Sequence, residues 1–308
     1  MSYHDLYQSG ELLRRIRVAY DRLRSCDLCP HDCGVNRLKG ERGLCGAGLL
    51  PKIASANVHR GEEPPISGTR GSGTIFFSGC SLSCRFCQNF PISQLGNGEE
   101  IATRELARRM LQLQQKRVHN INFVTPTHFQ PQILAALWLA IPDGFSLPIV
   151  WNSSGYEKVE LLTLLDGVAN IYLPDMKYAV DEPAKAISGA TGYPGINRRA
   201  VTEMLRQVGH LQLDDEGIAK KGLIIRHLVL PGDLAGSAAT LHWIAANLGT
   251  ETHVALMSQY FPAHSARETP GMDRHLTADE YDAAVEALEE AGLENGWVQE
   301  LDTERKPV

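Results

Sequence analysis

The sequence has no apolar run approaching the ~18 residues that span a bilayer, so no membrane-crossing helix is expected. It has no basic excess: Lys and Arg total 30 against 36 Asp and Glu, a net charge of −6 that gives no general attraction to nucleic acid. The opening Met1-Ser2-Tyr3-His4-Asp5 lacks the apolar core of an export signal, so a cytoplasmic protein is expected. No internal repeat is evident. No cysteine is left over either. The seven divide into Cys26, Cys29, Cys33 and Cys45 upstream and Cys80, Cys84 and Cys87 downstream, clustered spacings that argue for metal ligation over disulfides. With 308 residues, 43% hydrophobic and 21% charged, the chain is long enough for one large α/β domain with appendages.

The downstream cysteines stand at C-x3-C-x2-C, directly after the apolar run Thr74-Ile75-Phe76-Phe77. Three thiolates so spaced can hold three irons of a [4Fe–4S] cube and leave the fourth iron open to a substrate or cofactor. A zinc knuckle or three unrelated buried thiols are the alternatives. The upstream four stand at C-x2-C-x3-C-x11-C among glycines that allow tight turns. Such a set closes a site with protein ligands alone. Zinc and a second iron–sulfur cluster fit the spacing about equally, with zinc favoured as the commoner structural device, and His31 is a spare ligand.

Apolar runs then alternate with segments of helical period. Expected strands cover 74–78, 121–125, 148–152, 171–173, 223–229 and 253–258. Expected helices cover 9–25, 103–117 (capped by Thr103), 132–140, 157–165, 197–208 (capped by Asn197), 237–248 and 278–291 (opened by a Thr277–Glu280 capping box). The stretch 46–73, rich in proline and glycine, reads as a loop-rich connection, and a hairpin is expected near 211–220. Alternating strands and helices predict a parallel sheet with right-handed crossovers and chemistry at the C-terminal strand ends. Those ends carry Thr125 and Thr127, Asn152 and Ser154, Asp175 and Lys177, Arg226, and His264. The division expected is a helix and four-cysteine segment over 1–65, a partial (β/α)6 TIM-like barrel over 66–265, and a helical extension over 266–308.

The cysteine triplet and its setting resemble the radical S-adenosylmethionine (radical SAM) superfamily. There the motif follows the first strand of a partial barrel, an aromatic precedes the last cysteine as Phe86 does, and Asn89 fits the C-x-N tail. Asp175-Met176-Lys177 resembles the D-x-K motif of glycyl-radical-enzyme activases, and Pro262-Ala263-His264 resembles their Pro-x-His segment. The chain departs from the superfamily in having no Gly-Gly-Glu after the second strand, where it has Thr125-Pro126-Thr127. It looks most like poorly characterised relatives of pyruvate formate-lyase activating enzyme, which share the C-x-L-C-P-x-x-C-G-V segment matched at Cys26 to Val35, the Glu62–Pro65 stretch and the Cys87-Gln88-Asn89 ending. The resemblance implies a [4Fe–4S] cluster on Cys80, Cys84 and Cys87. It implies SAM held by Thr125, Thr127, Asn152, Ser154, Asp175, Lys177, Arg226 (on the SAM carboxylate) and His264 (near the adenosyl group), and a one-electron donor such as flavodoxin or ferredoxin. SAM would be cleaved to a 5′-deoxyadenosyl radical that takes hydrogen from a substrate, either a glycine of a partner enzyme or a small molecule or peptide. The non-enzymatic alternative is an iron–sulfur electron-transfer or metal-binding protein.

Overall fold

In a computed structural model residues 1–301 are described. Ten strands form one sheet: β1 Lys52–His59, β2 Ser72–Phe77, β3 Glu99–Glu100, β4 Ile121–Val124, β5 Ile149–Ser153, β6 Ile171–Pro174, β7 Gln212–Leu213, β8 Ala219–Leu228, β9 His253–Met257 and β10 Gly296–Val298. Their order is β10-β9-β8-β6-β5-β4-β2-β1-β3, with β7 paired to β8 alone. From β2 through β10 along this path every pairing is parallel. β1 runs antiparallel to β2 and to β3. The sheet curves into an open α/β barrel.

Parallel neighbours require crossovers, and the helices supply them. Helices Thr103–Gln115, Gln130–Ala140, Asp181–Ser188, Tyr193–Val208, Ser237–Leu248 and Ala278–Glu290 cover the outside. Each buries a stripe; Leu106, Ala107, Met110 and Leu113 are the buried face of the first. Burying such a Leu or Met contributes roughly 1.5–3 kcal/mol, far more than the helix propensities involved.

The barrel interior has its own small core. Ile66, from the short helix Pro64–Ser67, packs with Val150, Ile171, Leu173, Ala219 and Ile224. Strand side chains alternate between faces, so two residues beyond Val150, Leu173 and Ile224 come Asn152, Asp175 and Arg226 on that same inward side. The period of a strand thus lifts three polar groups above an apolar plug.

All six expected strands form. The stretch 46–73 is not a plain connection, because it contains β1 and the plug. β1 is mostly half-exposed and weakly apolar, so pairing with β2 rather than burial makes it a strand. Thr103 is not a cap: Ala102 precedes the helix and no side chain caps it. Asn197 lies inside a helix that begins at Tyr193 behind Gly192, and its amide donates to the carbonyls of Gly155 and Asp175. The expected 157–165 helix starts at Val159. The 211–220 hairpin is β7–β8, and the Thr277–Glu280 capping box is present. The C-terminal extension is not only helical, since β10 adds a parallel strand beside β9. Its residues 302–308 lie outside the described residues.

Candidate active site

β2 ends at Phe77 and the chain turns through Ser78 and Gly79. Gly79 has φ +84°, and a Cβ there would collide with the carbonyl of Cys45, so only glycine lets the two cysteine segments approach this closely. The following loop is tied by its backbone. Ser83 N–H donates to Ser188 O at 3.0 Å, Arg85 N–H to Ile187 O at 2.9 Å and Gly79 N–H to Ile92 O at 2.9 Å. The fully buried His128 donates from Nε2 to Ser78 O at 2.9 Å, and burial holds its pKa down at about 4.

Cys80, Cys84 and Cys87 all face one cavity of about 220 Å³. Each sulfur has a hydrogen-bonding neighbour: Leu82 N–H at 3.3 Å from Cys80 Sγ, Ser188 Oγ at 3.0 Å from Cys84 Sγ, and Ser93 Oγ at 3.2 Å from Cys87 Sγ. Burial pushes the Cys80 and Cys84 thiols up, and their mutual charge adds to it for Cys80. Three such thiols want a positive centre. Among the described residues no three His, Cys, Asp or Glu side chains converge as a single metal ion demands. A cube, whose irons each take a different sulfur, suits three thiols spread around one cavity, with hydrogen bonds to sulfur that tune it.

The opposite wall comes from the strand ends. Thr125, Asn152, Ser154, Asp175, Lys177 and Arg226 line the same cavity, with Phe76, Val124, Leu228, Met257, Gln88 and Gln259. Thr125 has φ +57°, an uncommon conformation for a β-branched residue and one that recurs where backbone is shaped for a ligand. Lys177 Nζ pairs with Asp175 Oδ2 at 2.6 Å. Burial opposes the Lys177 charge, but the Asp175 carboxylate beside it overcomes this and raises its pKa.

Two residues expected here are elsewhere. Thr127 is buried and donates to Glu157 Oε1 at 3.0 Å. Glu157 also accepts from Trp151 Nε1 at 2.9 Å and Ser153 Oγ at 2.6 Å, and burial raises its pKa. His264 does not line the cavity; its ring stacks on Phe90 at 4.7 Å and 12°. Arg226 lines the cavity but is not free for a ligand carboxylate. Its Nε lies 2.9 Å from Glu63 Oε1, Nη2 lies 3.6 Å from Glu62 Oε2, and Nη1 donates to Asn152 Oδ1 at 3.2 Å. Glu62 and Glu63 thus clamp it from the plug, a role invisible in their spacing. Their adjacency to Pro64-Pro65 was the only signal in the sequence.

The upstream cysteines also gather. Cys26 N–H donates to Val35 O and Gly34 N–H to Cys26 O, both at 2.9 Å, closing a knuckle. The Cys33 thiol faces back to Cys26 O at 3.7 Å. Burial pushes Cys29 up to about 12. The zinc favoured from spacing gains no support from side chains that do not converge on one ion. Buried Arg37 bolts the knuckle to the barrel through Gly48 O at 2.9 Å and His128 O at 2.7 Å. His31 is turned toward the downstream loop.

Comparison with known proteins agrees with this geometry. Residues 67–189 match a 4Fe-4S single cluster domain. Over 290 residues the chain is 33% identical to the uncharacterized protein MJ0674 of Methanocaldococcus jannaschii, covering 91% of this chain and 79% of that protein. The chain belongs to the MJ0674 family. A solved structure, HydG, a maturase of the [FeFe]-hydrogenase, superposes with a TM-score of 0.50 at 14% identity over 79% of this chain and 55% of that one. TYW1 with a lysine-pyruvate adduct bound gives 0.43 at 11% identity, over 70% and 73%. This MJ0674-family member has an open, mostly parallel, TIM-like partial α/β barrel, a fold it shares with HydG. Among its described residues no helix is long and apolar enough to cross a membrane.

Proposed function

We propose that this protein is a radical SAM enzyme in which Cys80, Cys84 and Cys87 carry a [4Fe–4S] cluster. The observation that carries this is the sharing of one cavity by those three thiols and the polar strand ends Asn152, Ser154, Asp175 and Lys177. When bound, the cluster supplies an electron from a donor such as flavodoxin or ferredoxin to the sulfonium of SAM, giving methionine and a 5′-deoxyadenosyl radical that takes hydrogen from a substrate. Lys177 is the cation for the SAM carboxylate and Asp175 the acceptor for its ammonium. Asn152 and Ser154 hold hydroxyls, and the backbone at Thr125 offers a carbonyl to the same ammonium. Phe76, Val124 and Met257 keep water from the reacting atoms. Arg226, clamped by Glu62 and Glu63, sets the floor rather than gripping the carboxylate. The upstream thiols hold a second metal centre, zinc or another cluster. A reducing compartment, the cytoplasm, suits both cysteine groups.

The resemblance of Asp175-Met176-Lys177 to the activase motif supports a substrate like theirs, a glycine of a partner enzyme. The alternative is a small molecule or peptide. Deuterium transfer from labelled candidates into 5′-deoxyadenosine separates the two. The reaction class is tested by anaerobic reduction with SAM: the wild type releases 5′-deoxyadenosine and Cys84→Ala does not. A wild type with an intact cluster that releases none refutes the assignment and favours an electron-transfer or metal-binding protein.

A further inference from the structure

His31 sits between Cys29 and Cys33, yet its ring is committed away from them. Nε2 lies 2.6 Å from the carbonyl oxygen of Ser81. A carbonyl only accepts, so this nitrogen carries the hydrogen and donates it. Ser81 is buried between Cys80 and Cys84. The edge of the His31 ring meets Tyr156 at 5.4 Å and 64°. Tyr156 is held by its hydroxyl, which donates to Thr191 O at 2.8 Å, and it stacks on Tyr193 at 5.9 Å and 17°. The Tyr193 hydroxyl donates to Ser154 O at 2.8 Å and receives the Lys177 N–H at 3.0 Å. One imidazole, flanked by two knuckle cysteines, therefore touches the downstream loop directly. Through two stacked phenols it also reaches the strand ends that carry Ser154 and Lys177.

We propose that His31 is a positioning residue that transmits the shape of the upstream cysteine knuckle to the Cys80–Cys87 loop and to the Ser154–Lys177 end of the cavity. The knuckle serves the cavity through this contact, whichever metal it holds. A second tie, the ion pair of Lys158 with Asp32, keeps the knuckle against the barrel next to Tyr156. Losing the His31 donor leaves a buried carbonyl unpaired, and that cost falls on the turn between two cysteines. The effect on the loop stands by itself; the effect on SAM rests on the function proposed above.

The test compares the full chain, reconstituted anaerobically, as wild type, His31→Ala and His31→Gln. Hydrogen exchange over residues 79–88 is expected to quicken about tenfold in His31→Ala, the size of one buried hydrogen bond. In His31→Gln, whose amide N–H reaches the same carbonyl, it is expected to stay near wild type. In electron paramagnetic resonance, the change that SAM induces in the reduced cluster is expected to vanish in His31→Ala and persist in His31→Gln. Unchanged exchange in His31→Ala overturns the proposal. So does an acceleration spread evenly over the chain, helix Ala278–Glu290 included, or a glutamine variant no better than alanine. If His31→Ala does not fold, His31→Gln decides alone: wild-type exchange supports the proposal and faster exchange at 79–88 overturns it. A wild type without any SAM-induced spectral change refutes the radical SAM assignment, while the exchange result still decides the role of His31.

Discussion

The two cysteine groups use one local device and differ in what surrounds it. In both, a cysteine carbonyl accepts the N–H three residues on, as Cys29 O does from Asp32 and Cys84 O from Cys87, each at 3.1 Å. The upstream group has four thiols closed in a knuckle that packs on the barrel. The downstream group has three thiols that face a cavity whose far wall carries Asp175, Lys177 and Asn152. Under the proposed function, three thiols facing a polar wall make the downstream group the site of chemistry and the four-thiol knuckle its support.

That contrast is broken most directly by exchanging ligands. Cys80→Ala, Cys84→Ala or Cys87→Ala is expected to remove one cluster's iron and reduce 5′-deoxyadenosine to background. Cys33→Ala is expected to lose the second metal while retaining the first cluster and a slower reaction. Metal analysis and product chromatography read both, and the reverse pattern would erase the distinction.

The charged wall gives the next largest effect. Asp175→Asn leaves the partly buried Lys177 ammonium without its carboxylate, which is expected to cost about 1–3 kcal/mol in urea unfolding. The double variant Asp175→Asn, Lys177→Met is expected to recover most of that stability without recovering SAM affinity measured by calorimetry. Recovery of both would make the pair purely structural.

His128, under the downstream loop, should be felt in acid. Its folded pKa of about 4 lies below its ordinary 6.5 because burial disfavours the charged ring. The unfolded chain therefore takes up the proton first. The stability is fully present above pH 6.5 and is lost as pH falls from there toward 4, by up to about 3 kcal/mol. In His128→Gln that part of the pH dependence should flatten, as measured by unfolding at a series of pH values. The smallest expected effect lies far from either cysteine group: Thr277→Ala removes a capping box and about 1 kcal/mol of stability, with 5′-deoxyadenosine release unchanged.

The parallel strands were legible because strands buried on both faces read as unbroken apolar runs, such as Leu223-Ile224-Ile225 and Val254-Ala255-Leu256-Met257. The cysteine spacing and the strand-end residues Thr125, Asn152, Ser154, Asp175 and Lys177 were legible for the same reason, since strand position places them on the cavity. β1 was missed because Lys52–His59 is half-exposed and owes its conformation to a partner strand. Thr127 and His264 were misplaced because a motif specifies which residue follows a strand, not which way its side chain turns. The roles of Glu62, Glu63 and His31 depend on contacts between segments far apart in the chain, 163 residues in the Glu63–Arg226 case (226 minus 63). No local pattern encodes such contacts.

The plug beneath Arg226 makes the barrel a cul-de-sac. Among the described residues, Ile66 and its neighbours fill the interior below Asn152 and Asp175 and close that end. A molecule resting against Lys177 is therefore approached from the side of the cavity that carries the cysteines, Gln88 and Gln259.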